Sequence, residues 1–107
     1  MRAYASLRRR ADFARVHRRG RRKASTFLVC IAAEGRERTR VGFAIGTEIG
    51  GAVVRNRLRR RIKAILDGYP LAAAPFRDVL FIARPGAGEL AFAEVAAEVE
   101  RTFGPRP

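Results

Sequence analysis

Residues 50–66 decide the fold and read GGAVVRNRLRRRIKAIL. Apolar side chains recur there at steps of three and four, which is typical of one face of an amphipathic helix. They are Val54, Leu58, Ile62, Ile65 and Leu66. At about 100° per residue, polar side chains take the rest of the helix surface. The opposite side carries Asn56, Arg59, Arg60 and Lys63, and the flanks carry Arg55, Arg57 and Arg61. This pattern predicts a helix that is anchored on a core and presents cations outward.

No acidic residue lies between Arg55 and Lys63, so the cations of this segment cannot form i,i+4 pairs with acids inside it. Such an array repels itself unless something anionic lies against it. The planar donors of arginine suit phosphate oxygens, which RNA carries in a dense row. We therefore expect this face to bind a polyanion such as RNA, the alternative being a face that is only solvated.

The composition indicates one compact domain over residues 1–107, with a net charge of +13. The charge is uneven: residues 1–63 hold 19 Lys and Arg against 4 Asp and Glu, whereas residues 64–107 hold 4 against 6. We expect the amino-terminal part to bind the polyanion and the rest to serve as scaffold.

Cys30 is the single cysteine, which excludes an intrachain disulfide and a cysteine-rich zinc site and fits a reducing cytosol. No apolar run approaches the roughly 20 residues of a membrane-spanning helix, and the amino terminus lacks the apolar core of a secretory signal. We therefore expect a cytoplasmic protein with no membrane partner.

The first third of the chain predicts a basic arm and a short helix. Residues 1–10 end in three arginines and are predicted to be flexible. A helix is expected over residues 12–17, with Phe13, Val16 and His17 sharing a face, and it ends near Gly20. A second basic run follows it. That run consists of Arg18, Arg19, Arg21, Arg22 and Lys23.

The apolar runs at residues 27–33 and 40–45 predict two strands, and the polar turn between them predicts an antiparallel hairpin. In the second strand the small residues Gly42, Ala44 and Gly46 share one face, which leaves a shallow surface or lets another element approach closely. A further short strand fits between Arg21 and Phe27. Residues 78–83 read as a buried central strand and residues 89–103 as an amphipathic helix. The prediction is an α+β sandwich.

Few residues could carry a reaction. His17 and Cys30 are the only candidates for a base and a thiol nucleophile, and nothing in their spacing supports a dyad. No metalloprotease or phosphate-loop motif is present. We expect no catalytic residues, no metal ligands and no small-molecule substrate. Phe13 lies between two arginine clusters, so either stacking on a base or packing in the core stays open.

The segment RVGFAIGTEIGGAVVRNRLRRRIKAIL resembles the signature of the bacterial ribonuclease P protein component. The upstream stretch DFARVHRRG is similar to the first helix of that family, and DVLFIARPGAGEL is similar to its last strand and following turn. The resemblance implies an α-β-β-β-α-β-α fold with a small, mostly antiparallel sheet and a left-handed βαβ crossover. It also implies a subunit of a ribonucleoprotein that removes the 5′ leader of precursor tRNA, in which the RNA carries the active site and binds most of the Mg²⁺.

The resemblance also implies which residues meet RNA. Against the catalytic RNA it puts Arg55, Asn56, Arg57, Arg59, Arg60 and Lys63. In a cleft for the single-stranded leader it puts Phe13, His17, Phe27 and Cys30, with supporting contacts from Arg8, Arg9, Arg10 and Arg15. His17 and Cys30 stand where the family more often has aromatic residues.

Three other classes of protein share part of this pattern. A ribosomal or other structural RNA-binding protein has the charge and the size, but the R-N-R motif in its glycine context argues against it. A DNA-binding module lacks the preceding helix and tight turn it would need. An independent nuclease lacks a carboxylate cluster for metals.

Overall fold

The computed structural model describes residues 2–107, so Met1, the first residue of the predicted arm, lies outside the described residues. The described chain forms five strands and three α-helices, with short 3₁₀ turns at Thr47–Ile49 and Ala87–Glu89. The elements are β1 (Ala5–Ser6), α1 (Arg10–Arg19), β2 (Arg21–Ala24), β3 (Leu28–Glu34), β4 (Arg40–Ala44), α2 (Ala52–Leu66), β5 (Arg77–Ala83) and α3 (Phe92–Thr102). The predicted α+β fold and the additional short strand, β2, are confirmed.

The five strands form one mixed sheet in the order β1-β4-β5-β3-β2. The β2–β3 and β3–β5 pairs are antiparallel, and the β1–β4 and β4–β5 pairs are parallel. The predicted hairpin between β3 and β4 is wrong, because β5 lies between them. The apolar run of β5 is buried on both faces, and this burial is available only at the centre of the sheet. Helix α2 connects the parallel strands β4 and β5; the handedness of this crossover stays a prediction.

Helices α2 and α3 cover one face of the sheet. Leu58, Ile62, Ile65 and Leu66 of α2 are buried, which confirms the predicted apolar face, and Val54 is half-buried. They share a core with sheet residues that include Phe81 and with residues of α3. The polar side of α2 is therefore turned away from the sheet.

Helix α1 covers part of the other face. Its Val16 is fully buried against a second core that contains Ile31 and Leu80. Gly42 permits this close packing, because a Cβ at that position would lie 2.9 Å from the Phe13 ring and 2.9 Å from the Leu7 carbonyl oxygen. The expectation that the small residues of β4 let another element approach is confirmed at Gly42.

The amino-terminal segment differs from the predicted flexible arm. The Ala5 and Leu7 amides donate hydrogen bonds of 2.9 Å to the Thr39 and Val41 carbonyl oxygens, and Tyr4 and Leu7 are buried. The burial of two apolar side chains holds residues 4–7 on the edge of the sheet, a signal that the arginine run after them obscured. The three arginines at the end of the predicted arm, Arg8, Arg9 and Arg10, are exposed, as are Arg2 and Ser6.

Asp78, at the start of β5, joins α1 to the sheet. Its buried carboxylate accepts hydrogen bonds from Arg15 of α1 and from Arg40 of β4, the latter at 3.0 Å from Nε and 2.8 Å from Nη2. Burial raises the pKa of Asp78, but the hydrogen bonds from Arg40 and Arg15 outweigh it and hold the pKa below its usual range. Asp12 also lies 3.3 Å from Arg40.

Replacing Asp78 tests this network. We expect Asp78→Asn to lower the free energy of unfolding by about 2–3 kcal/mol, because two arginines then lose their shared buried partner. The matched control is Asp67→Asn, which breaks an exposed ion pair with Arg2 and is expected to cost less than about 1 kcal/mol. Urea denaturation followed by circular dichroism measures both values, and equal losses would contradict a special role for Asp78.

The same carboxylate predicts the acid limb of stability. A folded-state pKa below the unfolded value gives stability that is present above the ordinary aspartate pKa and is lost as the pH falls through the folded pKa. We expect the unfolding free energy of the wild type to fall below about pH 4 more steeply than that of Asp78→Asn. Parallel slopes for the two proteins in denaturation curves across this range would count against the assignment.

Candidate nucleic-acid interface

The polar side of α2 carries cations that have no acidic partner. Among residues 2–107, every ion pair within 4.0 Å involves other residues, so none neutralises a cation of this helix. The cations concerned are Arg55, Arg57, Arg59, Arg60, Arg61 and Lys63. Because the fold offers them no counter-charge, this surface attracts an external polyanion.

Three of these arginines also fasten the helix to its surroundings. Arg57 Nη2 donates to the Gly88 carbonyl oxygen at 3.0 Å, and Arg61 Nη1 donates to the Leu90 carbonyl oxygen at 2.7 Å. Arg55 Nε donates to the Gly50 carbonyl oxygen at 3.1 Å. A carbonyl group has no net charge and does not neutralise a guanidinium. These side chains therefore stay cationic while they hold the turn before α2 at Gly50 and the turn at residues 87–90.

The outward side chains of α2 make no hydrogen bond to a backbone carbonyl within residues 2–107. Arg60 is exposed and makes no side-chain hydrogen bond within residues 2–107, and Arg59 Nη1 donates only to Asn56 Oδ1, at 2.7 Å. Lys63 Nζ lies 5.8 Å from the centre of the Phe43 ring, which places it beside β4. The six residues predicted to meet RNA therefore lie together along one helix, although Arg55 and Arg57 lie on its more buried flanks.

Helix α1 divides the second sheet face into two regions. At about 100° per residue, Phe13 and His17 lie on one flank of α1, and Asp12 and Arg15 lie on the other. Phe13 is half-buried and His17 is exposed. The partly buried residues Phe13, Ala44 and Ile82 pack against the α1-side core. Ala44 and Ile82 stay partly exposed on the sheet face at the flank of α1 that carries Phe13 and His17, and we name this surface the α1 groove.

The four predicted cleft residues do not line one surface. Side chains alternate along β3, so Val29 and Ile31 face α1, whereas Cys30 belongs to the core under α2 and α3. Phe27 packs against that same core. Placing Phe27 and Cys30 in the cleft is therefore wrong. Cys30 is 2% exposed, and its burial raises the pKa of the thiol to about 12.

The four arginines that were predicted to give supporting contacts lie on different surfaces. Arg15 pairs with Asp78 on the flank of α1 opposite the α1 groove, and its role as a supporting contact stays a prediction. Arg8, Arg9 and Arg10 are exposed, and their role in binding stays a prediction. Ala44 and Ile82 were missed. The small-residue face of β4 was a signal for Ala44, but the continuous apolar run of β5 hid which of its side chains face α1.

The described residues offer no site for a metal ion, since no group of three or more His, Cys, Asp and Glu side chains within residues 2–107 is arranged to hold one. The buried carboxylates of Asp78 and Glu98 are both taken by arginines. None of the helices within residues 2–107 has the length and apolar character needed to cross a membrane.

Solved structures show the same fold. The ribonuclease P protein of Staphylococcus aureus superposes with a TM-score of 0.80 at 22% identity, over 92% of this chain and 91% of that one. The ribonuclease P protein of Thermotoga maritima gives a TM-score of 0.75 at 23% identity, over 88% and 90% of the two chains. At this level of identity the likeness supports the architecture, including the βαβ unit that carries α2.

Sequence comparison gives the family. A ribonuclease P protein component from Acidothermus cellulolyticus is 43% identical over 102 residues, covering 92% of this chain and 84% of the relative. One from Roseiflexus castenholzii is 45% identical over 103 residues, covering 94% and 83%. The family model described as Ribonuclease P matches residues 1–105. The chain therefore belongs to the ribonuclease P protein family.

Proposed function

We propose that this chain, as the protein subunit of a ribonuclease P ribonucleoprotein, binds the catalytic RNA through α2 and holds the 5′ leader of precursor tRNA in the α1 groove. The observation that carries the proposal is the row of cations on α2 that no carboxylate of residues 2–107 neutralises. Binding to phosphates relieves their mutual repulsion and releases counterions from the RNA.

The α1 groove suits a single strand better than a duplex. It offers two ring side chains, Phe13 and His17, next to a shallow floor that contains Ala44 and Ile82. Unpaired bases stack on such rings, whereas the bases of a duplex are already stacked on one another. A leader upstream of the tRNA is single-stranded RNA of this kind.

In this proposal the active site belongs to the RNA subunit, and the ribonucleoprotein acts in the cytoplasm. The described residues provide neither a nucleophile–base pair nor a carboxylate cluster, and Cys30 is a buried thiol with a raised pKa. Mg²⁺ is placed on the RNA, and no step depends on a metal held by this chain. A ribosomal or other structural RNA-binding role is not favoured, because the named relatives are ribonuclease P protein components.

Cleavage of precursor tRNA at low Mg²⁺ tests the proposal directly. A bacterial ribonuclease P RNA alone is expected to be slow under this condition, and addition of this chain is expected to restore processing at the correct 5′ end. If the protein binds the RNA and processing is not restored, the proposal fails and a general RNA-binding role replaces it.

Arg60→Gln is expected to weaken binding of the catalytic RNA. Its guanidinium makes no side-chain hydrogen bond within residues 2–107, so the variant should fold normally and lose about one phosphate contact, with a salt slope smaller by about 0.9. Arg106→Gln is the control, because it removes the same charge from an exposed pair with Glu100. Titrations at several salt concentrations measure both, and identical slopes would remove Arg60 from the interface.

His17→Ala is expected to weaken binding of precursor tRNA but not of mature tRNA. Loss of one stacked ring at an exposed position costs about 1 kcal/mol, roughly fivefold in Kd. His17→Phe keeps a ring and should retain the leader-dependent affinity. Equal losses for precursor and mature tRNA would show that His17 acts elsewhere.

A further inference from the structure

A second group of unpaired cations lies far from α2, around the junction of α1 and β2. All five of its side chains are exposed, and none forms an ion pair or a side-chain hydrogen bond within residues 2–107. They are Arg18, Arg19, Arg21, Arg22 and Lys23, and we name them the β2 rim. The α2 interface leaves this group unexplained.

The sheet order keeps the β2 rim apart from α2. Strand β2 is an edge strand that pairs only with β3, at the side of the sheet opposite β4 and β1. Helix α3 packs against β2 and β3, and α2 packs on the far side of α3. An RNA lying along α2 therefore has α3 between it and the β2 rim.

The register places part of the rim beside the α1 groove. Arg22 pairs with Ile31 and Ala24 pairs with Val29, and both partners belong to the core on the α1 side. Because paired residues share a face, Arg22 and Ala24 lie on the same face as the groove. Arg21 and Lys23 point to the other side of the edge strand. The groove residues Ala44 and Ile82 lie in register with Val29 and Ala24, so a strand of RNA that crosses β3 there reaches Ala24, and Arg22 lies two residues away along β2 on the same face.

The rim is held in place rather than carried on a loose arm. The Ser25 hydroxyl and the Phe27 amide donate to Glu98 Oε1 at 2.6 and 2.7 Å, and Arg101 donates to Oε2 at 2.7 Å. Burial raises the pKa of Glu98, but these hydrogen bonds outweigh it and keep the pKa below its usual range. The turn between β2 and β3 is therefore fixed to α3, so the backbone of β2 loses little freedom on binding.

We propose that the β2 rim binds phosphates of the precursor tRNA leader upstream of the nucleotides held in the α1 groove. The inference rests on the proposed function, and it adds a second leader subsite that reads charge and not base identity. Strand β2 spans about 13 Å, enough for a few phosphates of an extended strand. Cations on an edge strand also discourage pairing between sheets, and that role alone predicts no effect on the leader.

The test is the affinity of the assembled holoenzyme for precursors whose leaders are shortened one nucleotide at a time. The variant Arg21→Gln/Arg22→Gln/Lys23→Gln is compared with Arg38→Gln/Arg77→Gln/Arg106→Gln, which removes the same charge from other exposed positions. We expect the rim variant to lose roughly tenfold in affinity, and about 2 in salt slope, for long leaders only. The control variant and the charge-preserving Arg21→Lys/Arg22→Lys should follow the wild type.

Three results would overturn the proposal. Unchanged affinity at every leader length would leave the rim as a solvated edge. An equal loss at every length, together with weaker assembly on the catalytic RNA, would assign the rim to that RNA. A loss shared by the control variant would show a general charge effect. If the wild type itself shows no dependence on leader length, the proposed leader binding fails together with the rim proposal. If the wild type shows that dependence and the rim variant keeps it, only the rim proposal fails.

Crosslinking gives an independent readout within the holoenzyme. Cys30 is buried with a raised thiol pKa, so a cysteine introduced at an exposed site is labelled selectively with a photocrosslinker. We expect a probe at Arg22→Cys, on the face of the groove, to crosslink the leader upstream of the nucleotides reached from His17→Cys. A probe at Val53→Cys, at the exposed start of α2, should crosslink the catalytic RNA instead. Crosslinks from Arg22→Cys to the catalytic RNA alone would contradict the proposal.

Discussion

The insertion of β5 between β3 and β4 is the constraint on which the structure depends. A central strand that is apolar on both faces needs a helical layer on each side. Helix α1 supplies one layer, and α2 with α3 supplies the other. Because the two layers lie on opposite faces, the cations of α2 and the rings of α1 lie on different sides of the sheet. One buried strand thus separates the surface proposed for the catalytic RNA from the surface proposed for the leader.

Buried carboxylates determine where unpaired positive charge remains on the surface. The chain carries +13, and two of its few acids are buried where they hold elements together. Asp78 holds α1 on the sheet through Arg15 and Arg40, and Glu98 holds the β2–β3 turn on α3. Buried carboxylates of this kind need partners, so they neutralise cations inside the framework. The cations left on α2 and on β2 have no such partner among residues 2–107, and this concentrates the positive field on the surfaces proposed to meet RNA.

Much of this organisation was readable from the sequence, and the failures have physical causes. The period of three and four in α2 predicted its buried face, because helix geometry is local. The sequence predicted that β3 pairs with β4, whereas β3 pairs with β5. Strands that follow one another in the chain often pair, but the partners of each strand depend on burial across the whole sheet. Phe27 and Cys30 were placed in the cleft by family position. The two-residue period of β3 already put Cys30 on the face opposite Val29, but the sequence did not show which face α1 would cover.

The arginines of α2 show why anchoring and binding cannot be separated residue by residue. Arg57 and Arg61 fix the 87–90 turn through backbone carbonyls, and their charge adds to the field at the helix surface. Losing Arg57 would therefore loosen the contact between α2 and the 87–90 turn as well as remove a cation, and a weaker complex would not reveal which effect was responsible. Arg60 has no structural bond within residues 2–107, so its loss reports on binding alone. The hydrogen-bond partners of each arginine decide which substitutions in this family signature can be interpreted.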